Sequence, residues 1–328
     1  MKAFILAGGF ATRLWPLTEK RAKPLLPLAG IPLLTHLVEK IPSGIPITVS
    51  TNAVFAGDFE KWKRELKMRN QEIRILIEDA GHEDEKLGAL GAVAKWVKEE
   101  NIQDDVLLLA GDNYVGFSIT SFIERFGGKP LLAAYDIREQ EAAKKFGTVL
   151  TESHPNTSGT IRVNGFEEKP ANPKSTLVST GCYILPGDSL STLVSYAKDH
   201  PDNIGGIFEH FLSMGMEVEC VSFAEPWFDI GSFEAYLEAT KTLIGENFLL
   251  ADGALQKESE LKGSIVFGKN SKAARSTLTN VVLFENCEVE DCVLENCIVD
   301  DDCILRGVDL SGKMLRARTR LIRRHRAL

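Results

Sequence analysis

Residues 6–32 read LAGGFATRLWPLTEKRAKPLLPLAGIP, which sets Gly8 and Gly9 directly behind an apolar run and follows them with Arg13 and Lys23. Those residue types suit phosphate. Glycine lets backbone N–H groups approach a polyphosphate with no Cβ in the way, and the two cations add fixed positive charge. A glycine pair alone describes a tight turn equally well, and a lone loop cation is usually solvated. In combination, close to a strand end, the four residues point to phosphate handling.

The elements that must hold them follow from the hydrophobic pattern. Residues 1–7, MKAFILA, read as a short buried strand, so the glycines fall where a parallel sheet opens its ligand crevice. Apolar runs at 47–50, 73–77 and 106–110 alternate with helical patterns at 59–68 and 89–97. This predicts an α/β domain with a doubly wound, mostly parallel, Rossmann-like sheet. Run 106–110 ends in Gly111-Asp112-Asn113, at the same kind of strand end. Strand-like runs at 131–134, 147–151 and 181–185 look like an insertion that walls the crevice.

Beyond residue 245 the texture changes. Residues 264–308 carry single Val, Ile, Leu and Cys residues at steps of five or six, the pattern of a short hexapeptide-type β-helix. The doublets Asn286-Cys287, Asp291-Cys292, Asn296-Cys297 and Asp302-Cys303 would each put a polar turn residue before an inward-facing cysteine. A metal site is the sharper alternative for those cysteines. Structural zinc, however, draws on closer pairs, and cysteine is a good small hydrophobe for a tight interior. Residues 313–328 hold lysine and arginine with no acid and read as a solvated or poorly ordered tail. The expected division is therefore 1–245, 250–310 for the β-helix, and 311–328 for the tail.

Composition narrows the functional classes. The 328 residues, 44% of them hydrophobic, suffice for a full core. A net charge of −8 argues against a general nucleic-acid binder, so a polyanionic substrate has to be gripped by local cation clusters. The opening Lys2 and its apolar run are too short for a signal peptide, and no stretch approaches a membrane span. Six cysteines without a C-x-x-C pair do not resemble a secreted disulfide framework, so a cytoplasmic location is expected.

These motifs resemble the signature of the sugar-1-phosphate nucleotidyltransferases, usually Gly-Gly-x-Gly-Thr-Arg-Leu, then Pro-Leu-Thr and Lys-x-Leu-Leu-Pro. Here it stands as Gly8-Gly9-Phe10-Ala11-Thr12-Arg13-Leu14, Pro16-Leu17-Thr18 and Lys23-Pro24-Leu25-Leu26-Pro27. Ala11 departs from the third glycine: at positive φ it would be strained, and at negative φ it would only narrow the loop. The resemblance spans roughly residues 1–243. It implies attack of a sugar-1-phosphate oxygen on the α-phosphorus of a nucleoside triphosphate, with pyrophosphate released and glucose- or mannose-1-phosphate as acceptor.

The same resemblance assigns roles. Arg13 and Lys23 would be catalytic, and Leu6, Ala7, Gly8, Gly9, Gly88 and Gly111 would bind nucleotide. Gly147, Glu168, Lys169, Thr180 and Gly181 would hold the sugar phosphate. Asp112 and Asp229, the latter in Trp227-Phe228-Asp229-Ile230-Gly231, would hold Mg²⁺; a turn residue and a helix cap are the plain alternatives for the pair. Around Gly88, where the family reads the base, no glutamine stands close by. Glu83 or Glu85 could accept from guanine or could simply be solvated, which leaves the base open.

A β-helix appendage is common in this family, here expected as about three turns of roughly eighteen residues. It is a candidate surface for homo-oligomer contacts, and its loss is expected to disturb association or solubility more than chemistry. The partners implied are a nucleoside triphosphate and a sugar-1-phosphate, with neither nucleic acid nor membrane. The alternative is a catalytically silent NDP-sugar-binding regulatory subunit, against which the intact Arg13, Lys23, Asp112, Lys169 and Asp229 argue.

Overall fold

Ala3, Phe4 and Ile5 of β1 (Lys2–Leu6) have no exposed surface, as a strand covered on both faces requires. The computed structural model describes residues 1–66, 71–78, 87–152, 157 and 159–323, and the chain falls into two units. The first comprises Met1–Gly9 and Leu34–Asp229, the second Phe10–Leu33 and Ile230–Leu328. In the first unit β1 is followed by β2 (Ile47–Asn52), β3 (Ile73–Glu78), β4 (Val106–Ala110), β5 (Asn113–Val115) and β6 (Leu131–Asp136). Then come β7 (Gly147–Thr151), β8 (Ile161–Glu168), β9 (Leu177–Leu185), β10 (Val218–Phe223) and β11 (Trp227–Asp229).

Nine of these strands form one sheet in the order β3-β2-β1-β4-β9-β6-β10-β8-β7, and β5 pairs with β11 in a separate ribbon. Strands β3, β2, β1 and β4 run parallel, with Leu6 beside Ala110. The strand order reverses between β1 and β4, the place where ligands gather in open α/β sheets. Beyond β4 the sheet turns mixed, because β9 runs antiparallel to both β4 and β6. The helix Ala89–Glu99 buries Leu90, Val93, Trp96 and Val97, and the Trp96 ring lies 4.7 Å from Phe4. The helix expected over 59–68 occupies Ala56–Glu65, and residues 67–70 lie outside the described part. Among the described residues, no helix is long and apolar enough to cross a membrane.

The second unit opens with the signature segment, in which Pro27–Leu28 and Ile31–Pro32 pair as a small ribbon. The helix Phe233–Ile244 starts at Ser232, whose hydroxyl accepts from the Ala235 N–H at 3.1 Å. Serine, not Asp229, is therefore the helix cap. The fully buried Tyr236 of that helix donates its hydroxyl to the Pro27 carbonyl.

The remaining strands are β12 (Phe248–Leu250), β13 (Leu255–Lys257), β14 (Glu260–Phe267), β15 (Lys272–Ala274) and β16 (Thr277–Leu283). They continue as β17 (Glu288–Glu290), β18 (Val293–Val299), β19 (Ile304–Arg306), β20 (Asp309–Leu315) and β21 (Arg320–Ile322). Even- and odd-numbered members form two five-stranded parallel sheets, the stacked sides of a hexapeptide-repeat β-helix. Thr277 pairs with Val293 and Val293 with Asp309, so these turns take 16 residues, and the first, which pairs Glu260 with Thr277, takes 17, neither of them eighteen. Each corner is made by a single residue in the left-handed region, as at Asn286, Asp291 and Asn296 with φ of 56°, 54° and 47°.

Equivalent corners stack. Asn270 Nδ2 donates to Asn286 Oδ1 at 3.3 Å, Asn286 Nδ2 to Asp302 Oδ1 at 3.1 Å, and Asn280 Nδ2 to Asn296 Oδ1 at 3.1 Å. The cysteine after each of the four polar corners is buried, with Cys287 Sγ donating to the Asp300 carbonyl and Cys303 Sγ to that of Arg316, both at 3.1 Å. The basic run expected as a tail forms a further turn over its described part, with Lys313 in β20 and Arg320 in β21, while residues 324–328 lie outside the described residues. Leu310, Leu315 and Leu321 pack inward between the cations, and Arg318 pairs outward with Asp302 at 3.6 Å.

A left-handed corner strains alanine by about 1–2 kcal/mol, whereas glycine accepts it and costs about 0.4–1 kcal/mol through unfolded-chain entropy. Asn286→Ala and Asn286→Gly both lose the amide stack. We expect the alanine variant to be the less stable of the two, by about 1 kcal/mol in chemical denaturation. The reverse order would remove the strain assignment.

Candidate functional site

β1 delivers Leu6 and Ala7 to the crevice, where the Ala7 N–H donates to the Ser50 carbonyl at 3.0 Å and the Gly111 N–H to the Leu6 carbonyl at 2.8 Å. The turn that follows is pinned by Asn52, whose Nδ2 donates to the Gly8 carbonyl at 2.9 Å and whose Oδ1 accepts from the Phe55 N–H at 3.1 Å. Gly8 has a reason to lack a side chain: a Cβ there would lie 3.0 Å from Glu78 Oε1. At Gly9 the equivalent space is open.

Glu78 is buried at the end of β3. Burial pushes its carboxyl above the usual 4.5, with the Ser50 hydroxyl and the Lys95 charge pulling it partly back. Neither Asn52 nor Glu78 was picked out from the sequence. The available signal was a polar residue closing an apolar strand, which more often means a solvated end. Glu83 and Glu85 lie outside the described residues. Gly88, at φ 78°, would put a Cβ 2.4 Å from the Pro201 carbonyl oxygen, so its own neighbours already demand glycine there.

Asp112 lies between β4 and β5, and the β5–β11 pairing sets Asp229 opposite Asn113. Two aspartates far apart in sequence thus reach adjoining backbone positions, both half-buried. Asn113 Nδ2 donates to Asp112 Oδ1 at 3.1 Å, and among the described residues its own Oδ1 is buried without a hydrogen-bond partner. The same ribbon reaches the expected sugar side. Trp227 Nε1 donates to the Thr180 carbonyl at 3.1 Å, and Thr180 Oγ1 donates to the Ala133 carbonyl at 2.9 Å. Gly181, at φ 75° where the β9 register breaks, would press a Cβ to 2.7 Å from that of Ala110.

From Trp227 the contacts continue to the last predicted group. Its ring stands 5.1 Å from Phe146, whose carbonyl accepts from the Lys169 N–H at 3.2 Å. A Cβ on Gly147 would lie 2.4 Å from the Phe166 ring and 3.0 Å from Glu168 Oε2, so this glycine makes room for protein groups. Lys169 takes φ 45°, a costly conformation for lysine, and its exposed Nζ lies 3.5 Å from Glu168 Oε1. Burial raises the Glu168 carboxyl above its ordinary value, and Lys169 pulls it down.

Arg13 and Lys23 belong to the second unit. Ala11 adopts φ 50° and ψ 45°, the strained alternative, and Thr18 Oγ1 caps its carbonyl at 2.7 Å. The short turn Thr12–Leu14 then presents Arg13 to solvent, while Lys23, at the start of the turn Lys23–Leu25, is 7% exposed.

Known proteins resemble this chain in sequence and fold. Residues 2–246 match the nucleotidyl transferase family model, and residues 238–312 match that of the GlmU-like C-terminal hexapeptide. A glucose-1-phosphate thymidylyltransferase of Streptomyces griseus is 25% identical over 99% of this chain and 92% of its own. A mannose-1-phosphate guanylyltransferase of Mycobacterium tuberculosis is 24% identical over 88% and 81%. The UTP-bound UGPase from Acinetobacter baumannii shares the fold, with a TM-score of 0.60 at 19% identity over 74% of this chain and 93% of that one. With three quarters of its length inside the first family model, the chain belongs to the nucleotidyl transferase family and is a sugar-1-phosphate nucleotidyltransferase.

Proposed function

We propose that this enzyme is Mg²⁺-dependent and transfers a nucleoside monophosphate to glucose-1-phosphate or mannose-1-phosphate, releasing pyrophosphate. The observation that carries the reading is the meeting of Gly8, Gly111, Asp112, Asp229 and Gly181 around the ends of β1 and β4. The donor set fits the metal: two half-buried carboxylates and a neighbouring amide oxygen left unpartnered are hard oxygen ligands of the kind Mg²⁺ prefers. Bound there by Asp112 and Asp229, the ion would neutralise phosphate charge.

The chain's own groups account for the rest. A phosphate monoester loses its second proton near pH 6, so the attacking oxygen is already ionised at neutral pH and needs no general base. The catalyst's task is to align two polyanions and offset their repulsion. We assign Arg13, with its planar fork, to the β- and γ-phosphates and Lys23, a compact charge, to the reacting phosphates. Glu168 would accept from sugar hydroxyls while Lys169 meets the sugar phosphate. Glu78 suits its place under the glycine turn, since a carboxyl that resists ionisation repels a polyphosphate less.

Turnover of the common nucleoside triphosphates against glucose-1-phosphate and mannose-1-phosphate, read as pyrophosphate release, tests the activity and fixes the base; no release from any pair would overturn it. Asp112→Asn and Asp229→Asn are expected to lower Mg²⁺-dependent kcat by about a hundredfold or more in folded protein. Lys169→Ala should raise KM for the sugar phosphate and leave that for the nucleotide nearly unchanged; equal effects on both would misplace the sugar side. For Glu78 the sign is set by its raised pKa. The folded state holds this proton more tightly, so stability is lost as pH rises above the usual glutamate value. The denaturation midpoint of Glu78→Gln, relative to wild type, should therefore climb as pH rises above the usual glutamate value, and a flat difference would refute the burial effect.

A further inference from the structure

The signature segment and the β-helix lie in one unit, and Arg21 joins them. Its Nη1 lies 3.1 Å from Asp300 Oδ1, and its Nη2 pairs with Asp301 Oδ2. The guanidinium also sits 5.2 Å over the buried Phe284 ring. The carboxylates are themselves held. Asp300 Oδ1 accepts from the Asp301 N–H at 2.8 Å, and Asp301 Oδ1 accepts from the Glu285 N–H of the preceding turn at 2.9 Å. With 24% of the Arg21 side chain and 7% of that of Asp300 exposed, this ion group is far drier than an ordinary surface pair.

We propose that Arg21 is a positioning residue for Lys23, and that the β-helix, through Asp300 and Asp301, holds the phosphate-binding segment in its working form. The inference rests on the reading that Lys23 acts on the reacting phosphates. Arg21 precedes Lys23 by two residues, and the Tyr236 bond to Pro27 anchors the chain on the other side. The short turn Lys23–Leu25 is therefore tied down at both ends by groups from beyond residue 230. Only arginine can span both aspartates with a rigid fork while lying flat over a ring; lysine keeps the charge and loses the geometry. On this reading the appendage would take a direct part in turnover besides any part in association.

The test compares Arg21→Lys and Asp301→Asn in the full-length enzyme, with Asp300→Asn as a further variant should either fail to fold by circular dichroism. Each is expected to lower kcat by about tenfold or more while KM for both substrates moves by less than about threefold. Placed on Lys23→Ala, Arg21→Lys should then cost little more, because the group it positions is gone. Hydrogen exchange of amides at residues 16–27 should quicken in Asp301→Asn while β1 and β4 stay protected. Wild-type kcat in the folded variants, or a full independent loss on the Lys23→Ala background, would overturn the proposal. Undiminished turnover of Lys23→Ala alone would instead strike the underlying assignment of Lys23.

Discussion

Leu6 lies beside Ala110 because β1 and β4 pair in parallel and in register, and the rest of the site depends on that pairing. Parallel strands end at the same edge, so the loops that leave them start as neighbours. The Gly111 N–H then bonds the Leu6 carbonyl, an approach so close that a Cβ on Gly111 would lie 2.8 Å from that oxygen. Asp112 inherits its place from this contact, and the ribbon of β5 with β11 brings Asp229 alongside. The bulge at Gly181 fits against Ala110 in turn. One pairing thus sets the places of Gly111, Asp112 and Gly181, and the β5–β11 ribbon adds Asp229.

Charge in the signature segment is organised differently. The chain is acidic overall, yet residues 10–33 hold Arg13, Lys20, Arg21 and Lys23 against a single acid, Glu19. Such a cluster repels itself and gains from being neutralised locally. Asp300 and Asp301 take Arg21, and Glu19 pairs with Arg316 at 3.0 Å. The Glu19 pair is solvated on the Arg316 side and contributes little. The Arg21 group is mostly dry, where removing one partner leaves the other's desolvation uncompensated.

Much of the first unit was legible because a fully buried parallel strand writes itself as an unbroken apolar run, and Gly8 and Gly111 mark where two such runs stop. The polar corners before the cysteines were legible for a similar reason, since few residues besides glycine, asparagine and aspartate tolerate a left-handed turn. The repeat length was not, because single apolar residues five or six apart fit turns of either sixteen or eighteen. The last turn was hidden by its arginines, which face outward and mask Leu310, Leu315 and Leu321. Asn52, Glu78 and Arg21 were invisible for a deeper reason. Their partners lie far away in sequence, and a polar residue announces burial only once its neighbours are known. Nor did the sequence indicate that residues 10–33 fall in one unit with the β-helix.

The stacked asparagine corners make one half of this protein quantised in length. From Asn270 onward equivalent corners recur at a step of 16 residues, so a duplication or deletion of a whole turn there leaves every surviving corner in phase. A single extra residue keeps later corners in phase only where a bulge takes it up, as between Lys262 and Ile265. Genetic change can therefore add or remove whole turns freely, whereas a single residue needs a bulge to take it up. The stretch that carries Asp300 and Asp301 is the exception, because its phase is also locked to Arg21.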